Sequence, residues 1–540
     1  MTPELRQTND ARPFLWLVIG MSVLTAVFLR SLPERIWVFS DTAHYLAVAR
    51  SIQAGEGIQS DLVYYTEQAL PGTIPAPQTV FPPGYPIAIA TAATLTSSNP
   101  NGVAKWICLF SYVLIAPLTF LLGIELKLRP TVAASCGLFW LPLVSGWMPT
   151  WCYSSDIPFT MLTLLSMLSF VRATSWRGLL GAGLIAALAI AFRYTGVFLG
   201  FAYGIALVLR HRTKLRQLIK DGCLSIGPAL VTALVMFARN RALVGSWQGG
   251  NETTQHTFAR TLRLLYYSMS EFTGFSQTAF MKGRMHCLAQ IVFGVAVFAA
   301  MGYAIFRSRK QVGTRWRNAS VVVLFYGPLV IAMLVWLDMR NATGMTPRLL
   351  VPAVPSIILG LGVLLEYMMR QSRIRQGWPL AATMLGVFGV LAGQPACMTN
   401  YREFAARGLA TRMILEEPIE QDQTLKDFLQ ANCDTSATLM SSMPQMTHLF
   451  VERPLVGLVS NVYNTNGKPW SFERTQEYVR RYRVRYILLL THPDTREYGP
   501  VFFRRLSVGE QPEWLRLEHE GQHFKLFRTD LGMRGLNARH

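Results

Sequence analysis

Cysteine is sparse in this sequence, seven in 540 residues, and the seven are scattered. No CxxC pair and no metal-ligand spacing occurs among them, so neither a disulfide framework nor a zinc site is expected. Acidic side chains are short too: 31 Asp and Glu stand against 51 Lys and Arg, a net charge of +20. There is no internal repeat and no low-complexity tract, which argues against a solenoid and against a long disordered region. No small-residue cleavage site follows the first apolar run, where the chain continues "RSLPERIW" (Arg30–Trp37). That run, Phe14–Leu29, therefore reads as a retained span rather than a cleaved signal.

What is plentiful is apolar. Hydrophobic residues make up 51% of the chain and the mean hydropathy is +0.27, too greasy for a soluble protein of this length. The apolar residues come in runs near the length that crosses a bilayer, roughly 20 residues. The expected fold is mostly α: a polytopic membrane protein of about eleven transmembrane helices, with a small C-terminal α/β domain. The spans are expected near 14–30, 104–124, 131–148, 156–171, 178–192, 194–209, 223–239, 288–306, 319–337, 349–367 and 378–395.

The charge excess has a simple cause. Every second connection between apolar runs is basic, among them Lys127 with Arg129, Arg210–Lys220, Arg307–Arg317 and Arg370–Arg375. This is the positive-inside pattern of a membrane protein, and it explains the charge without a nucleic-acid partner, for which no motif is present. It puts the N-terminus in the cytoplasm and three long pieces outside: residues 31–103, residues 240–287 and the tail from 396. The apolar stretch Gly84–Leu95 is too short to span and is expected as a helix at the outer surface. The division is then a membrane domain over 1–395 and a soluble extracytoplasmic domain over 396–540. The tail carries strand-like runs, "ATLMSS", "PLVGLVS", "RYILLL" and "HFKLFRT", behind a helical stretch at Gln423–Cys433.

The outer pieces hold the polar residues of interest. Asp41 opens a helix over Thr42–Gln53, either as a cap or as a carboxylate whose burial tunes it for base work. Tyr45 shares a face with Ala49 and Ile52, suited to the membrane surface. In "TVFPPGYPIAIA" Tyr85 follows a stiff Pro82–Pro83 turn and suits an interface anchor. Asp156 starts a span, again as cap or as functional carboxylate. Arg193, Arg340 and Arg348 stand on the outer side against the charge rule, which points to phosphate or carboxylate partners, or else to a salt bridge with Asp338 or snorkelling.

Taken in order, these features resemble a known family. They are a first span, a "D-x-x-x-Y…A" helix, "PPGYP", an outward acid starting a span, "R-Y" in a short hairpin and "PRLLVPAVP". The chain resembles GT-C fold glycosyltransferases, the group with protein O-mannosyltransferases, the lipid A aminoarabinose transferase and the bacterial Rgt-type transferases. The resemblance covers nearly the whole chain, including the outer α/β domain. It implies Asp41 as catalytic base, Asp156 as a second catalytic acid residue and Arg348 as the late arginine. Tyr45, Tyr85, Arg193, Tyr194 and Arg340 join Arg348 as candidate substrate-binding residues. Two departures stand out: Leu349 replaces the tyrosine after that arginine, and Thr42 stands where protein O-mannosyltransferases have a second acid.

The implied donor is a polyprenyl-phosphate-linked sugar, and the acceptor a hydroxyl of a glycan, lipid or protein. The transfer is expected to invert the anomeric centre, in a bacterial inner membrane. No cofactor is required by the sequence, and a divalent metal bridging Asp41 and Asp156 is left open. The alternative function is a transporter or flippase for a lipid-linked glycan. That alternative calls for repeated halves and charges deep within spans, neither of which is read in the chain.

Overall fold

A computed structural model describes residues 3–31, 40–64, 72–143, 153–247, 257–272, 314–341, 347–371, 377–385, 387, 423–434, 436–442, 444–451, 453–458, 472–490, 501–521 and 524–531. The chain divides into two compact units. The first comprises Met1–Glu34, Ala104–Met236 and Gln255–Met398, and the second Arg35–Val103, Phe237–Thr254 and Thr399–His540.

The first unit is built of helices packed on helices. Four of the described helices are long and apolar enough to cross a membrane: Asp10–Arg30, Pro100–Glu125, Ala319–Met339 and Arg348–Arg370. A fifth is added if Leu215–Ser225 and Gly227–Val244, bent by 53°, count as one span. The expected eleven are thus not reached among the described residues. The helices Pro130–Phe139, Trp176–Phe192 and Tyr194–Arg210 are apolar but short, below the roughly 20 residues of a full crossing. The expected span 131–148 shrinks most, because its helix already ends at Phe139. Residues 288–306 and the end of 378–395 lie outside the described residues.

Small residues let these helices approach closely, as membrane packing requires. A Cβ on Gly183 would lie 2.5 Å from the Leu224 carbonyl oxygen, and one on Gly137 would lie 2.7 Å from that of Ala116. Buried hydroxyls fold back onto their own helices or bridge to others. Thr119 donates to the Ile115 carbonyl, and Ser166 donates to Ala182 and sits 2.6 Å from the Tyr203 hydroxyl. The basic ends are tied down by acids: Glu366 pairs with Arg129 and Arg370, and Glu125 with Arg172.

The second unit centres on a sheet. The first long loop supplies β1 (Gln59–Ser60), β2 (Leu62–Val63) and β3 (Ala76–Pro77). The tail supplies β4 (Leu439–Ser441), β5 (Leu455–Gly457), β6 (Tyr486–Leu490), β7 (Leu515–Glu520) and β8 (Phe524–Thr529). β1 pairs with β3, while the other six form one sheet in the order β2-β5-β4-β6-β8-β7. β2, β5, β4 and β6 run parallel, and β8 and β7 are antiparallel additions. The division drawn at residue 395 from sequence therefore separates two pieces that share this sheet.

Side chains alternate across the sheet, as the pleat demands. Ile487, Leu489, Met440 and Val456 pack on one face with Val479, Tyr482 and Phe502. Tyr486, Leu488, Leu439 and Leu455 pack on the other with Leu429 and with Ala43 and Ala47 of the helix Ser40–Gln53. The helix that carries Asp41 is thus backed by the sheet. Its alanines are what allow it to lie close.

Candidate active site

Asp41 lies in the first turn of the helix Ser40–Gln53 and is 2% exposed. It falls within the helix, not ahead of it as the expected cap would. His44, one turn on, is fully buried. Burial pushes the His44 imidazole down to about 3, against the opposing pull of the Asp41 carboxylate, so the ring is neutral at ordinary pH. Tyr45 is buried as well. Its ring meets Phe81 at 5.3 Å and Tyr85 edge-on at 5.2 Å. Tyr85 opens the 13-residue helix Gly84–Thr96 and is also fully buried. The face expected to lie on the membrane is therefore packed within the second unit, and Tyr85 is not an exposed anchor.

The neighbourhood of His44 extends to a pair that sequence reasoning missed. His448, on the helix Pro444–Val451, is fully buried, and its Nε2 is 3.1 Å from Asp61 Oδ1. Its Nδ1 lies 3.2 Å from the Arg453 carbonyl oxygen. Burial pushes the Asp61 carboxyl up, but the His448 ring bonded to it, with the Arg50 charge, outweighs that and holds it below the usual carboxylate range. Arg453 in turn donates to the carbonyls of Leu429, Cys433 and Asp434 at the end of the helix Gln423–Asn432, where helices leave acceptors unsatisfied. Arg239 holds the first loop from another segment of the same unit, donating to the carbonyls of Gln78 and Ile58 at 2.7 and 3.3 Å. Asp61, His448 and Arg239 are single polar residues far apart in sequence, and no local spacing announces them.

In the first unit Asp156 is the first residue of the helix Asp156–Arg172 and is fully buried. Ser155 occupies the cap position, so Asp156 is not the cap either. Its Oδ1 is 2.8 Å from Arg193 Nη1, its Oδ2 accepts from the Ser154 hydroxyl, and Arg193 also donates to Ser155 at 3.2 Å. Arg193 ends the helix Trp176–Phe192, and Tyr194 follows in a 3-10 turn before Val197–Arg210. The structure thus joins two of the residues singled out in sequence, Asp156 and Arg193, in one buried ion pair. Opposite charges this close and withdrawn from water attract more strongly than an exposed pair does.

Arg348 is half-buried in the short helix Pro347–Leu350, at the head of the apolar stretch Arg348–Arg370. Arg340 falls at the end of the helix Thr314–Asn341. Asp338, offered in sequence as their ion-pair partner, is fully buried and accepts from the Thr261 hydroxyl at 2.6 Å. Among the described residues no three of His, Cys, Asp and Glu converge as a metal cage.

Comparison with known proteins fits this architecture. Residues 80–241 match the family model described as dolichyl-phosphate-mannose-protein mannosyltransferase. No protein of curated function matches the chain closely enough to count as a sequence relative. Among solved structures, ArnT from Cupriavidus metallidurans bound to undecaprenyl phosphate superposes with a TM-score of 0.56 and 11% identity, covering 95% of this chain and 98% of that one. Arabinofuranosyltransferase AftD from Mycobacteria gives 0.51 at 13% identity, covering 96% of this chain and 40% of that one. The Archaeoglobus fulgidus oligosaccharyltransferase tethered with an acceptor peptide gives 0.50 at 12% identity, covering 88% and 69%. The chain is a membrane protein with the GT-C glycosyltransferase fold.

Proposed function

We propose that this protein moves a sugar from a polyprenyl-phosphate-linked donor to an acceptor hydroxyl on the outer side of a bacterial inner membrane. The observation that carries the reading is Asp41: a carboxylate 2% exposed, in the first turn of a helix seated on the sheet through Ala43 and Ala47. A buried carboxylate held on a rigid element is what a general base needs. The similarity to ArnT bound to undecaprenyl phosphate supports the donor class.

In the proposed step the acceptor oxygen attacks the anomeric carbon while the bond from that carbon to the phosphate oxygen breaks. The acceptor proton passes to Asp41, and the polyprenyl phosphate leaves as an anion. A single displacement inverts the anomeric centre. Arg348, at the head of an apolar stretch, is the residue we assign to the phosphate, through a two-pronged guanidinium contact, with Arg340 close in sequence. Asp156 holds Arg193 fixed, so its part in the chemistry runs through that pair. Tyr45 and Tyr85 brace the base helix.

The test uses purified full-length protein and a panel of polyprenyl-phosphate sugars, with and without a divalent cation. Release of free polyprenyl phosphate from at least one donor is expected, together with binding of undecaprenyl phosphate that Arg348→Ala weakens by about tenfold or more, the scale of one charged hydrogen bond. Equal binding by wild type and Arg348→Ala would remove the arginine from the donor site. Transport of an intact lipid-linked sugar without its cleavage would replace the transferase reading with the flippase one.

A further inference from the structure

The helices Val197–Arg210 and Gly227–Val244 leave an apolar groove of about 550 Å³ between them. Ile226, Ala229 and Ala233 line one side. Gly200 and Gly204, one turn apart, lie on the other side among Val197, Phe201, Ile205 and Val208. A Cβ on Gly200 would stand 3.5 Å from Ile226, and one on Gly204 would stand 3.9 Å away. These glycines are therefore not forced by a backbone contact. The groove they border runs along a helix of 14 residues, roughly 20 Å long, which suits an extended hydrocarbon chain.

The two ends of the groove differ in charge. At the Val197 end the nearest cation in sequence is Arg193, which is committed to Asp156. The Leu209 end leads directly into Arg210, Arg212 and Lys214, all exposed. The next helix, Leu215–Ser225, carries Arg216 and Lys220 beside the exposed Leu215 and Ile219, the composition of a helix lying at a membrane surface. Among the described residues none of these five cations forms an ion pair. A clasp sets the geometry of this connection: Asp221, 4% exposed, takes His211 Nε2 at 2.9 Å and the Gln217 amide at 2.8 Å.

We propose that this groove binds an anionic phospholipid of the leaflet at the basic side, with one acyl chain along Gly200 and Gly204 and the phosphate against Arg210, Arg212 and Lys214. The trough supplies hydrocarbon burial, and the collar supplies the preference for an anionic headgroup. The site is independent of the transferase reading, whose donor would present its phosphate on the opposite side of the membrane.

The test is competition between phosphatidylglycerol and phosphatidylcholine for delipidated full-length protein in detergent, read as bound lipid by native mass spectrometry. Wild type is expected to keep one phosphatidylglycerol with a preference of about tenfold or more, the scale set by two or three basic groups near an anionic headgroup. The variant Arg210→Gln/Arg212→Gln/Lys214→Gln should bind both lipids alike, and Gly204→Leu should lose the tightly held lipid. Independently of whether the leucine variant folds, a photo-crosslinker in place of the exposed Ile205 should capture phosphatidylglycerol in the otherwise wild-type chain and lose it in the triple variant. Equal retention of both lipids by wild type, or capture unchanged by the triple variant, overturns the proposal.

Discussion

Asp156 and Arg193 form a buried ion pair, and their burial decides what mutation does. The carboxylate is fully buried while the guanidinium is 14% exposed. Removing the arginine leaves an uncompensated buried charge, a loss of about 3–5 kcal/mol. Arg193→Ala is therefore expected to lower the thermal midpoint sharply, and adding Asp156→Asn should recover much of the loss. A double variant no more stable than Arg193→Ala would contradict the pairing. His44 makes a second prediction at this scale. Its folded pKa, about 3, lies below the unfolded value near 6.5. Between these values the unfolded chain binds the extra proton, so stability is complete above about pH 6.5 and falls as the pH drops below it. The slope from this ring approaches ~1.4 kcal/mol per pH unit. Stability measured from pH 7 downwards should lose that slope in His44→Gln, and an unchanged slope would mean that the ring is not buried neutral.

At the scale of elements, the sheet depends on one close approach. A Cβ on Gly457 at the end of β5 would lie 2.4 Å from Pro444 Cγ and 2.7 Å from Tyr64 Cδ2. Overpacking of this kind costs about 1–3 kcal/mol, so Gly457→Ala should lower the midpoint of the second unit and increase proteolysis in the first loop. A midpoint equal to wild type would show that Tyr64 and Pro444 yield freely. The tail strands β4, β5, β6 and β8 were legible in sequence, because apolar residues alternate or run together there. β7 was not: in "LRLEHE" only Leu515 is buried, so its pattern carries no core signal. β2 was not either, since two residues paired to β5 across most of the chain leave no local trace. The short helices Trp176–Phe192 and Val197–Arg210 and their turn at Arg193 were legible from apolar length and punctuation. The early end of Pro130–Phe139 was not, because the apolar run continues past the helix.

At the scale of the whole molecule, positive charge on alternate connections predicted a membrane protein, and the fold shared with ArnT and AftD agrees. The candidate site was legible only as single residues. Asp41 and Asp156 stood out because acids are scarce beside apolar runs, whereas the Asp61–His448 bond and the Arg239 clamp arise from chain segments that meet only after folding. The second unit gathers such segments behind the helix of Asp41, which is the centre of the functional account. The most direct test is turnover of a polyprenyl-phosphate sugar by wild type and by Asp41→Asn, an isosteric change that removes only the base. The account predicts a folded variant with turnover reduced by about two orders of magnitude or more and with donor binding kept. Near-normal turnover in that folded variant would contradict it.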